Sequence, residues 1–91
     1  MRMNKFKMGE TVAIHSDYIK LNKKHLRRYH IFNITWFWGV DDNSCIVHNE
    51  TLGTFGVLTG NLNKLYKNNK LNKKLYCGRI LEETEEWLIV K

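Results

Sequence analysis

Apolar and polar residues alternate along several short stretches, and that alternation predicts a small sheet. Between His30 and Val40 the chain reads His-Ile-Phe-Asn-Ile-Thr-Trp-Phe-Trp-Gly-Val. A period of two places Phe32, Ile34, Trp36, Trp38 and Val40 on one face. Asn33, Thr35 and Gly39 fall on the other face, with Phe37 the apolar exception. β-branched and aromatic side chains suit a pleated, half-buried surface, and no helical spacing gathers this set as well. The stretch is the expected central strand, with Trp36, Trp38 and the distant Trp87 in the core and Phe37 left as a protein-interface candidate.

Weaker patterns supply the other elements. Thr11 to His15 alternates, with Val12 and Ile14 on one face, and Gly9 suits a turn before it. Ser16-Asp17 suits the cap of a helix over Tyr18 to Tyr29, the competing reading being a long ordered loop. Asp41 to Ser44 reads as a turn, Cys45 to His48 as a hairpin strand, Asn49 to Gly53 as a turn and Thr54 to Leu58 as the next strand. Gly53, Gly56 and Gly60 are expected bulge positions. Asn61 to Lys74 predicts one or two helical turns, capped by Thr59 or Asn61, and then an exposed loop. Its echoes, Asn63-Lys64-Leu65-Tyr66 and Asn72-Lys73-Lys74-Leu75-Tyr76, are too short to make a structural repeat. Leu75 to Leu81 and Glu86 to Val90 read as two final strands around an acidic turn, Glu82-Glu83-Thr84-Glu85.

The segment Phe6-Lys7-Met8-Gly9-Glu10-Thr11-Val12-Ala13-Ile14 resembles the opening strand, hydrophobic-x-x-Gly-Asp/Glu-x-Val-x-Ile, of SH3-like barrels of the KOW and Tudor kind. The resemblance implies a long loop after the first strand, a meander of short strands, and partners drawn from nucleic acid or from ribosomal and polymerase proteins. The expected architecture is mainly β: one domain over residues 1–91, a small SH3-like barrel or a strongly bent antiparallel sheet with one or two short helices.

Composition adds little to the fold. At 91 residues and 43% hydrophobic the chain suffices for one modest core. It has no proline or glutamine and many Asn and Lys residues, a bias that AT-rich codon use produces and that resembles small phage proteins.

Charge changes the picture more. Residues 1–30 carry eight Lys/Arg against Glu10 and Asp17, a net +6; residues 31–60 carry only Asp41, Asp42 and Glu50, a net −3. Residues 61–81 carry six Lys/Arg and no acid, a net +6, and residues 82–91 return −3. Two basic blocks flank a hydrophobic middle, a distribution that attracts polyanions. The expected phosphate-binding residues are Lys20, Lys23, Lys24, Arg27, Arg28, Lys64, Lys67, Lys73 and Lys74, with the two blocks on one side of the barrel. Tyr18, Tyr29, Tyr66 and Tyr76 are candidates for stacking on bases.

Other chemistry is thinly supported. Cys45 and His48 have Cys-x-x-His spacing, with His25, His30 and Cys77 elsewhere, but a strand points Cys45 and His48 to opposite faces, so no metal is expected. Phosphate loops, nucleophile elbows and His-Glu-x-x-His are missing, and adjacent Asp41 and Asp42 suit a turn better than paired catalysis. The expectation is a non-enzymatic domain without cofactor that binds DNA or RNA. The alternative is a small inhibitor or adaptor of the phage host-takeover or anti-defence kind, docking on an acidic protein. No apolar run approaches the ~20 residues of a membrane span. The reduced cytoplasm is the expected setting (the host's, for a viral protein), with the chain a monomer or homodimer.

Overall fold

A computed structural model describes residues 6–20, 27–76 and 79–91. They form a mainly β molecule: β1 (Thr11–His15), β2 (Tyr29–Trp38), β3 (Ser44–Asn49), β4 (Gly53–Leu58), β5 (Leu62–Lys67), α1 (Lys70–Leu75), β6 (Ile80–Glu83) and β7 (Trp87–Val90). All strand pairs are antiparallel, in a seven-stranded sheet ordered β4-β3-β2-β1-β5-β7-β6.

The start of the chain is organised by a turn. Glu10 N–H donates to the Lys7 carbonyl at 3.0 Å, with Gly9 at φ 84°. That left-handed backbone suits glycine and few other residues. Beyond it Val12, Ala13 and Ile14 are all fully buried, in a strand paired on both sides, with β2 and β5. Val12 and Ile14 join Phe6, Ile19, Phe32, Ile34, Cys45, Val47, Val57 and Leu62 in one core cluster. The cluster unites Val57 of β4 with Leu62 of β5, which three strands separate in the sheet order, so the sheet bends around it. Each large side chain buried there contributes about 1.5–3 kcal/mol.

β2 departs from strict alternation. Ile34 pairs with Val47, yet Trp36 pairs with Ile46 and Phe37 with Cys45, so an extra residue, Thr35, is accommodated in a bulge. Thr35 Oγ1 donates to the Ile46 carbonyl at 3.2 Å. Before the bulge Phe32 and Ile34 face the core; after it Phe37 does, packed against the same cluster. Trp36 and Trp38 turn outward, 58% and 53% exposed, and Val40 is exposed in the turn that follows. The expected faces are therefore reversed over the last third of the strand, and Phe37 is a core-packing residue. Of the tryptophans expected in the core, only Trp87 is even half-buried.

Three further expectations change. Ser16–Tyr18 is a single 3₁₀ turn, Ile19 is extended at φ −132°, and Tyr29 already belongs to β2. No helix therefore spans Tyr18 to Tyr29; residues 21–26 lie outside the described set. Ile19 is drawn into the core and Tyr29 is held opposite His15, which leaves no room for a continuous helix. Leu62–Lys67, expected to be helical, is β5, because the open side of β1 needs a hydrogen-bonding partner that only an extended segment supplies. The helix comes later, at α1, where the Asn69 side chain accepts from Asn72 N–H at 2.8 Å.

The expected strand over Leu75 to Leu81 gives way to the end of α1 and the start of β6, with Cys77 and Gly78 outside the described residues. The turn before β7 shifts accordingly to residues 84–86. β3 and β4 pair without a register shift, so Gly53 and Gly56 mark no bulge; Gly53, at φ 105°, closes the hairpin. Gly60 lies in the 3₁₀ turn Thr59–Asn61.

Candidate functional site

The expected phosphate ligands among the described residues occupy two places. Lys20, Arg27 and Arg28 are exposed where the connection between β1 and β2 begins and ends; Lys23 and Lys24 lie outside the described residues. Ser16 N–H donates to the Arg28 carbonyl at 2.8 Å and anchors that end. Arg28 precedes Tyr29, which is paired with His15 at the end of β1. Lys67 instead lies beyond Lys64, which is paired with Val12. The two blocks thus sit at opposite ends of the strands they flank, rather than in the single patch expected.

Two of the seven expected phosphate ligands among the described residues are engaged within the protein. Lys64 Nζ is 2.8 Å from Glu10 Oε2 and 4.7 Å from the centroid of the Phe6 ring, with both partners of the ion pair largely shielded. Lys73 Nζ is 2.8 Å from Glu83 Oε2. The lysine ammonium, with a hydrogen bond from Asn68, holds the Glu83 carboxyl below its usual range. Lys67 and Lys74 are exposed, as is Lys70 beside them. On α1, Leu71 and Leu75 are also exposed, at 67% and 64%.

The tyrosines divide in the same way. Tyr66 and Tyr76 stack on each other at 4.4 Å, tying the end of α1 to β5. The hydrogen bond between their hydroxyls, more than burial, raises the Tyr76 phenol. Tyr18 and Tyr29 contact His15 edge-on, at 6.2 and 5.0 Å, and all three line a cleft with Asn61, Asn63 and Lys91. Tyr18 is the exposed ring of this group. A second cleft sets Arg27 and Arg28 with Glu82, Glu85, Glu86 and Trp87.

Cys45 is buried in the core, where desolvation pushes its thiol up and a hydrogen bond with Thr59 partly offsets this. His48 is exposed on the opposite face, with Nδ1 2.9 Å from Thr54 Oγ1. Among the described residues no three His, Cys, Asp or Glu side chains converge as metal ligands would, and no helix is long and apolar enough to cross a membrane.

Sequence reasoning missed the outward tryptophans. Trp36-Phe37-Trp38 is apolar throughout, so either parity fits the core, and no sequence signal marks the Thr35 bulge.

These features define a small antiparallel β domain whose β2, β3 and β4 carry no lysine or arginine. Compared with known proteins, the chain matches no family model, no curated protein and no solved structure.

Proposed function

We propose that the protein is a non-enzymatic module that binds nucleic acid through the cationic half of its sheet. One observation carries the reading. Residues 29–63 contain no Lys or Arg, and they build β2, β3 and β4, which are adjacent at one side of the sheet. The exposed cations therefore border the other half, β1-β5-β7-β6 with α1, at both ends of its strands. The six residues of β5 at about 3.3 Å each span about 20 Å. A short stretch of nucleic-acid backbone laid along that half, clear of the cleft that holds Glu82, Glu85 and Glu86, meets Arg27 and Arg28 at one end and Lys67, Lys70 and Lys74 at the other. Tyr18, beside the first group, offers a face for one base.

The connectivity of the first five strands supports the likeness to SH3-like barrels inferred from residues 6–14. A long connection follows β1, β2-β3-β4 form a meander, and a 3₁₀ turn leads into β5, which returns to β1. A reduced cytoplasmic setting fits the buried Cys45 thiol.

A mobility-shift assay at low salt, with labelled single- and double-stranded oligonucleotides, tests the proposal. Retention that falls steeply with added salt is expected; no retention of any DNA or RNA overturns it.

A second reading is favoured by α1, where exposed Leu71 and Leu75 lie among Lys70, Lys73 and Lys74. Phosphates do not require leucines, whereas an acidic protein groove with an apolar floor does. In this reading the chain is an adaptor or inhibitor of the phage host-takeover kind. A protein recovered stoichiometrically from nuclease-treated bacterial lysate, and lost on Leu71→Asp, supports it over the first.

A further inference from the structure

The cleft lined by His15, Tyr18 and Tyr29 takes no part in the phosphate contacts, and its chemistry is of another kind. Its volume is about 370 Å³, at the small end of ligand sites. Part of the lining is aromatic: the Tyr18 ring is exposed, and the rings of His15 and Tyr29 stand nearly perpendicular, at 87°. Asn61 and Asn63 supply amides, and Leu62 and Leu81 add apolar surface. The charged side chains are Asp17 and Lys91, one of each sign. A phosphate gains little from such a lining, whereas an uncharged flat ring with polar edges suits it.

Hydrogen bonds within the protein fix what the lining offers. Asp17 N–H donates to His15 Nδ1 at 3.0 Å, so the neutral imidazole carries its proton on Nε2. Asn63 Nδ2 donates to the Ala13 carbonyl at 3.3 Å, which sets the sense of that amide and keeps Oδ1 as an acceptor. The Asn61 amide is not engaged by other described residues, so its donor and acceptor lie side by side for a ligand. An exocyclic amino group next to a ring nitrogen, as on adenine or cytosine, matches such an amide. The added acceptor on Asn63 favours that amino group over the carbonyl that thymine and uracil carry in its place.

We infer that this cleft takes one unpaired base with an exocyclic amino group, adenine or cytosine, stacked on Tyr18 and read along its polar edge by Asn61 and Asn63. The site depends on the proposed binding of nucleic acid and narrows it from a single strand to a kind of base. Continuity with the basic rim selects a nucleotide over other flat rings. Arg28 adjoins Tyr29 in the chain, and Ser16, between His15 and Asp17, donates its N–H to the Arg28 carbonyl at 2.8 Å. A phosphate held at Arg28 therefore leaves its base one residue from the cleft. Paired bases have no free face or edge to place there, so a duplex does not use it.

Two measurements on the full chain test this. Fluorescence anisotropy at one salt concentration compares short strands of oligo-dA, oligo-dC and oligo-dT. The first two are expected to bind roughly tenfold more tightly than the third. In Asn61→Ala, and separately in Asn63→Leu, the three affinities converge while the dependence on salt is unchanged, and circular dichroism reports the fold of each variant. The second measurement titrates free adenosine, cytidine and uridine, which carry no phosphate, into isotope-labelled wild-type protein. Adenosine and cytidine are expected to shift the ring resonances of His15, Tyr18 and Tyr29 at lower concentration than uridine. Strands bound equally well whatever their base, or nucleosides that shift none of these resonances, overturn the base site and leave the charged surface standing. Nucleosides seated in the cleft of a protein that retains no oligonucleotide support the base site and overturn the wider binding of nucleic acid.

Discussion

At the scale of single residues, neighbours along the chain play unlike parts. Phe37 and the tryptophans on either side of it are all large and aromatic, yet only Phe37 packs against the core. Phe37→Ala is therefore expected to destabilise by about 2 kcal/mol, less than a fully buried phenylalanine. Trp36→Ala shifts stability by only about 0.5 kcal/mol, as an exposed site does. Urea midpoints of the two variants check the ordering, and equal losses contradict the bulge. For the proposed binding of nucleic acid, Tyr18 is the residue that separates stacking from charge. Tyr18→Ala is expected to weaken a single-stranded oligonucleotide about tenfold and a duplex hardly at all, because only unpaired bases present a face. Fluorescence anisotropy with both ligands measures the difference. Glu10 is the partner of Lys64, and this pairing removes one expected phosphate ligand from the surface.

At the scale of elements, α1 has few attachments among the described residues. Its leucines are exposed, and it is held by the Tyr66–Tyr76 stack, the Asn69 cap, the Asn72 side-chain amide donating to the Lys67 carbonyl, and the Lys73–Glu83 pair. The folded protein lowers the Glu83 carboxyl through Lys73, so this contribution is present above the ordinary glutamate value and is lost as pH falls through the depressed one. Acidification through and below the carboxylate range is therefore expected to loosen α1 before the β1–β4 core. Amide exchange across residues 70–75, compared with β1, reads this out. In Glu83→Gln the loosening is present at neutral pH and the acid step is missing. An acid step of wild-type size in that variant contradicts the assignment. The same scale explains why β5 does not announce itself in the chain: Leu62, Leu65, Tyr66 and Asn69 have helical spacing, and the unpaired side of β1 selects a strand there instead.

At the scale of the whole molecule, strand order turns blocks of sequence into sides of a body. Because β2, β3 and β4 are consecutive in both chain and sheet, a run without cations becomes three adjacent strands without cations. The two basic blocks are separated along the strands, and each is expected to contribute its own share of binding. Charge reversal of Arg27 and Arg28 to Glu, and separately of Lys67 and Lys74 to Glu, should each reduce the slope of log K against log salt by roughly 2, about one unit for each phosphate no longer neutralised. Titrations at several salt concentrations give the slopes. If neither pair changes the slope, the cationic half is not the binding surface.

The alternation of Thr11 to His15, the hairpin of β3 and β4, and the hydrophobic β7 were legible in the chain itself, because each is decided by neighbours a few residues apart. So was the mainly β class, and so were the charge blocks. The sense in which Trp36, Phe37 and Trp38 face, the extended form of Leu62–Lys67 and the pairing of Lys64 with Glu10 were decided only by tertiary structure. Each depends on a partner distant in sequence, and local propensity holds no record of which strand lies alongside.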